Sequence, residues 1–334
     1  MTELENIIRK TAGECTEFAV SLGNTSLRVF SNGYGFGGHR FFARQAFLSD
    51  EAATDFEVWC INDADGSTAS ILSTYPACNS HRARAFAAGY FATDHFGEPV
   101  LLYQFGRRYY MVGVRLERPF WSFLLKVIIF YASLEQKQLF LKGAAVVVKG
   151  VATLVVGRGG GGKTTLVQAL CRQGASFVTN SHAVLDGNRI IGVLSTMRVR
   201  DIDQRVEVGY PALNLGERLV DPTDLFPHVT TKPVPLQRVV IVDYVPYHEE
   251  GVRQLLPELA LSFLDQFALG VNVYRLEEEL LEHCERDLVR FGREILALRK
   301  QLADLTNRLP CYVVRTDAQD PSKLQRLLTH LGVE

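Results

Sequence analysis

This sequence has no excess of either charge, no paired-cysteine motif and no apolar run long enough to cross a membrane. Its 36 lysines and arginines nearly balance its 37 aspartates and glutamates, which leaves a net charge of −1. A chain with balanced charge has no general attraction for nucleic acid or for an anionic membrane. We therefore predict that neither is a partner of this chain.

The six cysteines are scattered, and none lies in a C-x-x-C pair or in a His/Cys cluster with zinc spacing. Unpaired thiols are typical of a reduced compartment, and we expect a cytoplasmic protein. The first residues are acidic and lack the apolar core of a secretory signal. The most apolar stretch, residues 119–134, is interrupted by Lys126 and is shorter than the roughly 20 residues of a membrane span. It predicts a buried helix.

The apolar pattern divides the chain into residues 1–117 and residues 118–334. In the first region, short alternating runs separated by turn residues predict a mainly antiparallel β domain. The runs 18–22 and 26–30 flank a Gly-Asn turn and predict a hairpin. Further strands are predicted at 56–61, 69–72, 99–105 and 108–116, with a turn at Asp65-Gly66.

The second region mixes helical and strand periods. Helices are predicted at 119–137, 164–173, 252–269, 275–308 and 322–331, and strands at 143–148, 151–156, 176–179, 183–185, 189–194, 238–243 and 311–315. The helix 275–308 carries one continuous apolar stripe. That stripe fits either packing on the domain or, in part, a dimer seam, so a homo-oligomer stays open.

One segment carries a specific chemical signal, the pattern G-x-x-x-x-G-K-[ST] between a β-rich run and an amphipathic helix. Glycines allow main-chain N–H groups to surround phosphate oxygens, and the helix N-terminus favours the same anion. The lysine supplies a cation to the β- and γ-phosphates, and the first threonine can bind Mg²⁺. The predicted nucleotide-binding residues are Gly157, Arg158, Gly159, Gly160, Gly161, Gly162, Lys163, Thr164 and Thr165.

The segment 141–193 resembles the HPr kinase/phosphorylase family, and more closely its small relatives in the group shared with phosphoenolpyruvate carboxykinase. The resemblance is carried by LKGAAVVVKGVATLVVGRGGGGKTTLVQALCRQGASFVTNSHAVLDG, in which a two-residue turn at Lys149-Gly150 joins two strands before the loop. It extends over about residues 119–332, including RVVIVD, and does not cover residues 1–110. It implies an α/β fold with a mixed sheet and phosphoryl transfer from ATP to a hydroxyl.

Two departures from the family pattern affect the predicted chemistry. Lys142 stands where the family has a histidine, and Asn180 and Ser181 stand where it has paired aspartates. Neither an amide nor an unassisted hydroxyl takes a proton from a substrate near neutral pH. The candidate groups for proton transfer are therefore His182 and Asp186, with Lys163 stabilising charge.

Other candidates have a weaker pattern behind them. Asp243 ends the apolar strand RVVIVD, where a Mg²⁺ carboxylate is often found. Residues 33–38 formally match G-x-G-x-x-G without a βαβ context, and read as an aromatic-lined loop followed by His39, Arg40 and Arg44. The charged cluster Arg198, Arg200, Asp201 and Asp203 could face an acceptor or could be a solvated loop.

The leading interpretation is an ATP- and Mg²⁺-dependent kinase-like enzyme that phosphorylates a hydroxyl of a small metabolite or modified peptide. The alternatives are a non-catalytic nucleotide-binding protein with a regulatory or assembly role, which the Asn180-Ser181 pair favours, and an ATPase. No residue pattern selects ATP over GTP or identifies the acceptor.

Overall fold

The computed structural model describes residues 14–32, 36–62, 77–79, 83–86, 89–92, 100–200, 217–243, 250–318 and 320–330. The chain forms two compact units. The first comprises Met1–Phe42 and Phe47–Ile128, and the second comprises Ala43–Ala46 and Ile129–Glu334.

The first unit is built on one eight-stranded sheet. Its strands are β1 (Thr16–Ser21), β2 (Ser26–Ser31), β3 (Phe56–Asn62), β4 (Ala77–Asn79), β5 (Ala83–Phe86), β6 (Gly89–Ala92), β7 (Val100–Phe105) and β8 (Arg108–Gly113), in the order β1-β2-β3-β8-β7-β6-β5-β4. β3 pairs in parallel with β2 and with β8, and the other neighbouring strands pair antiparallel. The predicted β1–β2 hairpin is confirmed, whereas the predicted strand 69–72 and the Asp65-Gly66 turn lie outside the described residues.

A helical segment follows the first sheet. It comprises α1 (Glu117–Pro119), a π-helical turn (Phe120–Leu124) and α2 (Leu125–Glu135). The side chains of Ile128, Ile129 and Phe130 are all buried, so α2 is buried on more than one face. The predicted buried helix is confirmed. In the part of the chain that the structure describes, no helix has the length and apolar character that a membrane crossing requires.

The second unit contains a nine-stranded mixed sheet. Its strands are β9 (Leu139–Lys142), β10 (Ala144–Val148), β11 (Val151–Val156), β12 (Ser176–Thr179), β13 (His182–Asp186), β14 (Arg189–Gly192), β17 (Val234–Val242), β18 (Gly251–Leu255) and β19 (Cys311–Arg315). β17 pairs in parallel with β11 and with β19, and the remaining pairs are antiparallel. A separate ribbon pairs β15 (Met197–Arg200) with β16 (Glu217–Val220). The α/β class with a mixed sheet is thereby confirmed.

The sheet of the second unit must curve strongly. β12 and β13 are five steps apart in strand order, roughly 24 Å in a flat sheet. Only Asn180 and Ser181 join them, a link that spans about 10 Å at most. Gly192 allows the close approach, because a Cβ there would lie 2.3 Å from the carbonyl oxygen of Val178. The curvature brings the ends of β9, β12 and β13 together.

Helices complete the second unit: α3 (Lys163–Arg172), α4 (Pro222–Leu225), α5 (Pro257–Phe267), α6 (Gly270–Val273), α7 (Glu277–His283), α8 (Leu288–Arg308) and α9 (Pro321–His330). The prediction of a helix over 252–269 is wrong at its start, because β18 pairs antiparallel with β19 and Pro257 opens α5.

The prediction of one helix over 275–308 is also wrong. The chain leaves the helix after α7, with Glu285 and Arg286 at positive φ. The carboxylate of Asp287 then accepts hydrogen bonds from the main-chain N–H groups of Val289 (2.8 Å) and Arg290 (3.1 Å) and starts α8. The apolar stripe continues across this break, so its period alone did not show it.

Candidate phosphate-binding site

The site begins with the hairpin β10–β11. Lys149 and Gly150 have φ values of 50° and 82°, the left-handed conformation that a two-residue turn between twisted strands requires. The side chains of Leu154, Val155 and Val156 are buried. β11 is therefore a fixed element that ends at the glycine loop, as the sequence predicts.

The loop itself, residues 157–162, requires glycine at several positions. A Cβ on Gly157 would lie 2.3 Å from the carbonyl oxygen of Val242, and one on Gly161 would lie 3.0 Å from the same atom. Gly160 and Gly162 adopt left-handed φ values of 77° and 95°. Gly162 is the N-cap of α3 and offers no side-chain cap, so the first-turn N–H groups of the helix have no such acceptor.

Lys163, the first residue of α3, folds back across the loop. Its Nζ donates hydrogen bonds to the carbonyl oxygens of Gly157 (2.8 Å) and Arg158 (2.9 Å). Burial, and to a smaller extent the charge of Lys142, lowers the pKa of this ammonium to about 8. A partly buried cation thus lies over the main chain of the glycine loop.

Thr164 is in contact with the link between β12 and β13. Its Oγ1 donates a hydrogen bond of 3.1 Å to Oδ1 of Asn180. The buried hydroxyl of Thr179 fixes this link, because it lies 3.0 Å from the carbonyl oxygen of His182 and 2.9 Å from that of Val193. An amide therefore faces the Thr164 hydroxyl at a position where the resemblance implies a carboxylate.

The ends of the parallel strands bring Asp243 to the loop. Its carboxylate accepts hydrogen bonds from Arg158 Nε (3.2 Å) and Nη2 (2.6 Å), and Arg315, the last residue of β19, lies 3.9 Å away. The Asp243 main-chain N–H donates to the carbonyl oxygen of Val314 at 3.1 Å. The predicted Mg²⁺ carboxylate is therefore beside the loop and is paired with a loop arginine.

The two predicted proton-transfer residues lie elsewhere on β13. His182 is buried, and its ring stacks with Phe140 (centroids 6.0 Å apart) and lies 5.6 Å from the ring of Tyr274. Asp186 is exposed at the other end of the strand, opposite Arg189 in the β13–β14 turn and roughly 13 Å along β13 from His182. The structure places His182 among aromatic rings at the start of β13, and Asp186 at the exposed far end of the same strand, away from the link that contacts Thr164.

The remaining candidate residues, those around the glycine pattern 33–38 and the charged cluster 198–203, have structural contacts of their own where the structure describes them. The N–H of Gly37 donates to Glu117 at 3.1 Å, and His39 and Arg40 lie in a short 3₁₀ helix rather than a βαβ unit. Arg44 pairs with Asp221 and Asp224. Residues 33–35, Asp201 and Asp203 lie outside the described residues. Arg198 is exposed on β15, and Arg200 ends that strand opposite Glu217.

Among residues with described side chains, no group of three or more His, Cys, Asp or Glu forms a metal cluster. A phosphate-binding loop does not need such a cluster, because Mg²⁺ is generally held there by one or two protein oxygen ligands together with phosphate oxygens and water. Thr164 and Asp243 are oxygen donors of the kind that Mg²⁺ prefers, and both lie at the loop.

Comparison with known proteins adds little to this geometry. No family model matches the sequence, and no curated protein matches it. Among solved structures, the chain is similar to the HPr(Ser) kinase/phosphatase from Coxiella burnetii, with 13% identity and a TM-score of 0.24 over 35% of this chain and 77% of that one. At that score the likeness carries no argument about activity, and the predicted family membership stays a prediction.

Sequence reasoning missed two features of the site. The ion pair between Arg158 and Asp243 depends on the parallel pairing of β11 with β17, for which the sequence gives no local signal. Lys142 was visible only as a departure from a family pattern. In the structure it is half-buried, and its charge acts on Lys163.

Proposed function

We propose that this chain binds the polyphosphate of a nucleoside triphosphate, with ATP as the first candidate, together with Mg²⁺. The observation that carries the proposal is the position of Lys163, whose ammonium lies across the main-chain carbonyls of a glycine loop at the start of α3. A polyphosphate in that place would meet the loop N–H groups, the helix N-terminus and this cation together. Thr164 would bind the metal ion, and Asp243 would support it once released from Arg158.

Calorimetric titration with MgATP and MgGTP tests the proposal. We expect wild-type protein to bind at least one of them and Lys163→Met to lose about 100-fold in affinity, because the cation over the phosphates is removed. Lys232→Met is the matched control, because Lys232 is exposed in the chain before β17. Absence of binding heat from folded wild-type protein with every purine triphosphate would refute the proposal.

A second pair of variants tests the loop rather than the charge. Gly157→Ala would place a methyl group 2.3 Å from the Val242 carbonyl oxygen, whereas Gly159→Ala would meet nothing within 4 Å. We expect Gly157→Ala to lose nucleotide binding, since the loop must move away from β17, and Gly159→Ala to keep it within a few-fold. Equal binding by both variants would contradict a cradle held at this distance.

The reaction that we propose for the bound nucleotide is phosphoryl transfer to a hydroxyl of a small metabolite or modified peptide. Such transfer depends mostly on positioning and on neutralising phosphate charge, which the loop, Lys163 and Mg²⁺ would supply. The contact between Thr164 and Asn180 favours a non-catalytic alternative, because the group facing the metal-binding hydroxyl is an amide that takes no proton. We assign proton transfer to neither His182 nor Asp186, given their positions.

Turnover measurements separate these functions. We would incubate the protein with γ-labelled ATP and Mg²⁺, with and without extract from its source. Label moving to a new species supports the kinase, steady hydrolysis without extract supports an ATPase, and binding without turnover supports a non-catalytic role. The variant Asn180→Asp separates the functions further, because it places a carboxylate at this position. We expect the variant to turn over ATP faster than wild type if the site carries out phosphoryl transfer. If the site only binds nucleotide, turnover by the variant should stay at zero.

A further inference from the structure

A second lysine lies close to the phosphate loop. Lys142 is the last residue of β9, and its main-chain N–H donates a 2.7 Å hydrogen bond to the carbonyl oxygen of Ala268. Its register partner on β13 is His182. Its ammonium lies 5.9 Å from the centre of the Tyr274 ring, a cation–π contact. These contacts hold the backbone and one face of the side chain in place.

A chain of hydrogen bonds connects Lys142 to the loop. The N–H of the next residue, Gly143, donates to the carbonyl oxygen of Ser181 at 3.1 Å, and the Tyr274 hydroxyl donates to the same oxygen at 3.4 Å. Asn180, adjacent to Ser181, accepts the hydrogen bond of Thr164. Lys142 therefore belongs to the side of the loop where Thr164 would bind Mg²⁺, whereas Arg158 and Asp243 neutralise each other.

Lys142 and Lys163 both carry partly buried ammonium groups, and the hydrogen bonds of Gly143 and Thr164 tie their two segments to the Asn180–Ser181 link. Burial lowers the pKa of Lys142. Holding two partly desolvated ammonium groups near each other without an anion between them is unfavourable. A ligand with several negative charges between them would reverse the sign of that interaction, because each ammonium would then gain a charge-assisted hydrogen bond.

We propose that Lys142 is a second ligand of the bound triphosphate, and that it contacts the terminal phosphate from the side of the Asn180–Ser181 link. This inference rests on the proposed function. The terminal phosphate is the one that fits, because Lys142 lies on the side of Thr164, whose hydroxyl would hold Mg²⁺ beside the β- and γ-phosphates. A diphosphate would reach Lys163 and the loop but would not reach Lys142.

Calorimetric titration with MgATP and MgADP tests this assignment through a ratio of affinities. We expect Lys142→Met to weaken MgATP binding roughly 10- to 100-fold and MgADP binding less than about 3-fold. Lys163→Met should weaken both. Lys142→Arg keeps the charge and should retain most of the preference for the triphosphate, whereas the Lys232→Met control should match wild type.

Each outcome of the titrations supports or overturns the contact of Lys142 with the terminal phosphate. Unchanged MgATP affinity in Lys142→Met, or an equal loss for the two nucleotides, overturns the contact with the terminal phosphate. If circular dichroism shows that Lys142→Met is misfolded, Lys142→Gln, which keeps a long stem and a polar end, is judged by the same ratio. Wild-type protein that binds no triphosphate overturns the proposed function, whereas wild-type binding with an unchanged ratio in the variant overturns this inference alone.

Discussion

Replacing Lys163 by methionine should separate the stability of the protein from its binding of nucleotide. The substitution keeps an unbranched side chain and removes the cation. Burial, with a smaller contribution from the charge of Lys142, lowers the pKa of Lys163 from 10.5 to about 8, which corresponds to about 3.5 kcal/mol of unfavourable free energy at about 1.4 kcal/mol per pKa unit. Since the ammonium is only partly buried, solvent screening reduces this to roughly 1.5 kcal/mol.

The hydrogen bonds of Lys163 act in the opposite direction. The ammonium donates to the carbonyl oxygens of Gly157 and Arg158, and the loss of a donor to a partly desolvated carbonyl costs about 1 kcal/mol. The two effects nearly cancel. At pH 7 we therefore expect the unliganded Lys163→Met protein to have a free energy of unfolding within about 1 kcal/mol of wild type.

The two proteins should differ in how their stability depends on MgATP and on pH. At a MgATP concentration of 100 times the Kd, wild type should gain about 2.7 kcal/mol and the variant almost nothing. Because the folded-state pKa is lowered, the cost of the charge is fully present below about pH 8 and disappears as pH rises towards 10.5. Unliganded wild type should therefore gain stability relative to Lys163→Met over that range, by about 1.5 kcal/mol.

Urea denaturation with and without MgATP measures these quantities. If more than one unfolding transition is seen, the free energy is taken from the transition that MgATP shifts. The reasoning is refuted if Lys163→Met keeps more than half of the stabilisation by MgATP. A difference between the two proteins that stays constant from pH 7 to pH 10 would show that the ammonium is not desolvated in the folded state.

Three further substitutions test individual contacts. Gly192→Ala should destabilise the second unit by about 1–3 kcal/mol in urea denaturation, because its Cβ would lie 2.3 Å from the Val178 carbonyl oxygen; an unchanged midpoint would contradict the close approach. Gly292→Ala, at an open position within α8, should raise the free energy of unfolding by about 1 kcal/mol through helix propensity, and a decrease would show that this position is not an unstrained helical site. Asp243→Asn should weaken MgATP binding several-fold yet leave binding of metal-free ATP equal or tighter, since a negative charge beside the phosphates is removed while Arg158 is freed. Calorimetry with Mg²⁺ and with EDTA measures the two affinities. Equal losses of affinity in both conditions would exclude a role of Asp243 in binding the metal.

The glycine loop between β11 and α3 could be predicted from the sequence because its determinants are consecutive. The conformation of Lys149-Gly150, the glycines after β11 and the start of α3 all depend on residues within a short stretch. The same holds for the β1–β2 hairpin, where a short turn sets the register. Local preference and final structure agree there, so a one-dimensional pattern was sufficient.

Features that depend on distant pairing could not be predicted in this way. Residues 252–255 were predicted to belong to the helix that follows them, but they form β18 because β19 provides an edge with which they pair. The division of 275–308 into α7 and α8 depends on one capping carboxylate within a continuous apolar stripe. Asp243 lies 85 residues after Arg158, and only the parallel pairing of β11 with β17 makes them neighbours.

The ion pair of Arg158 with Asp243 sets the charge balance at the glycine loop, and the proposed nucleotide binding would change that balance. Arg158 is a residue of the glycine loop with an exposed side chain, and its guanidinium is paired with the carboxylate. Both hydrogen bonds are accepted by Oδ1 of the carboxylate, and the positive charge of the guanidinium opposes the binding of a divalent cation there. Binding of the metal–nucleotide complex would therefore exchange partners, with Arg158 turning to a phosphate and Asp243 to the metal. Since one ion pair is exchanged for two, the exchange favours a ligand that carries both phosphate and divalent cation over either alone.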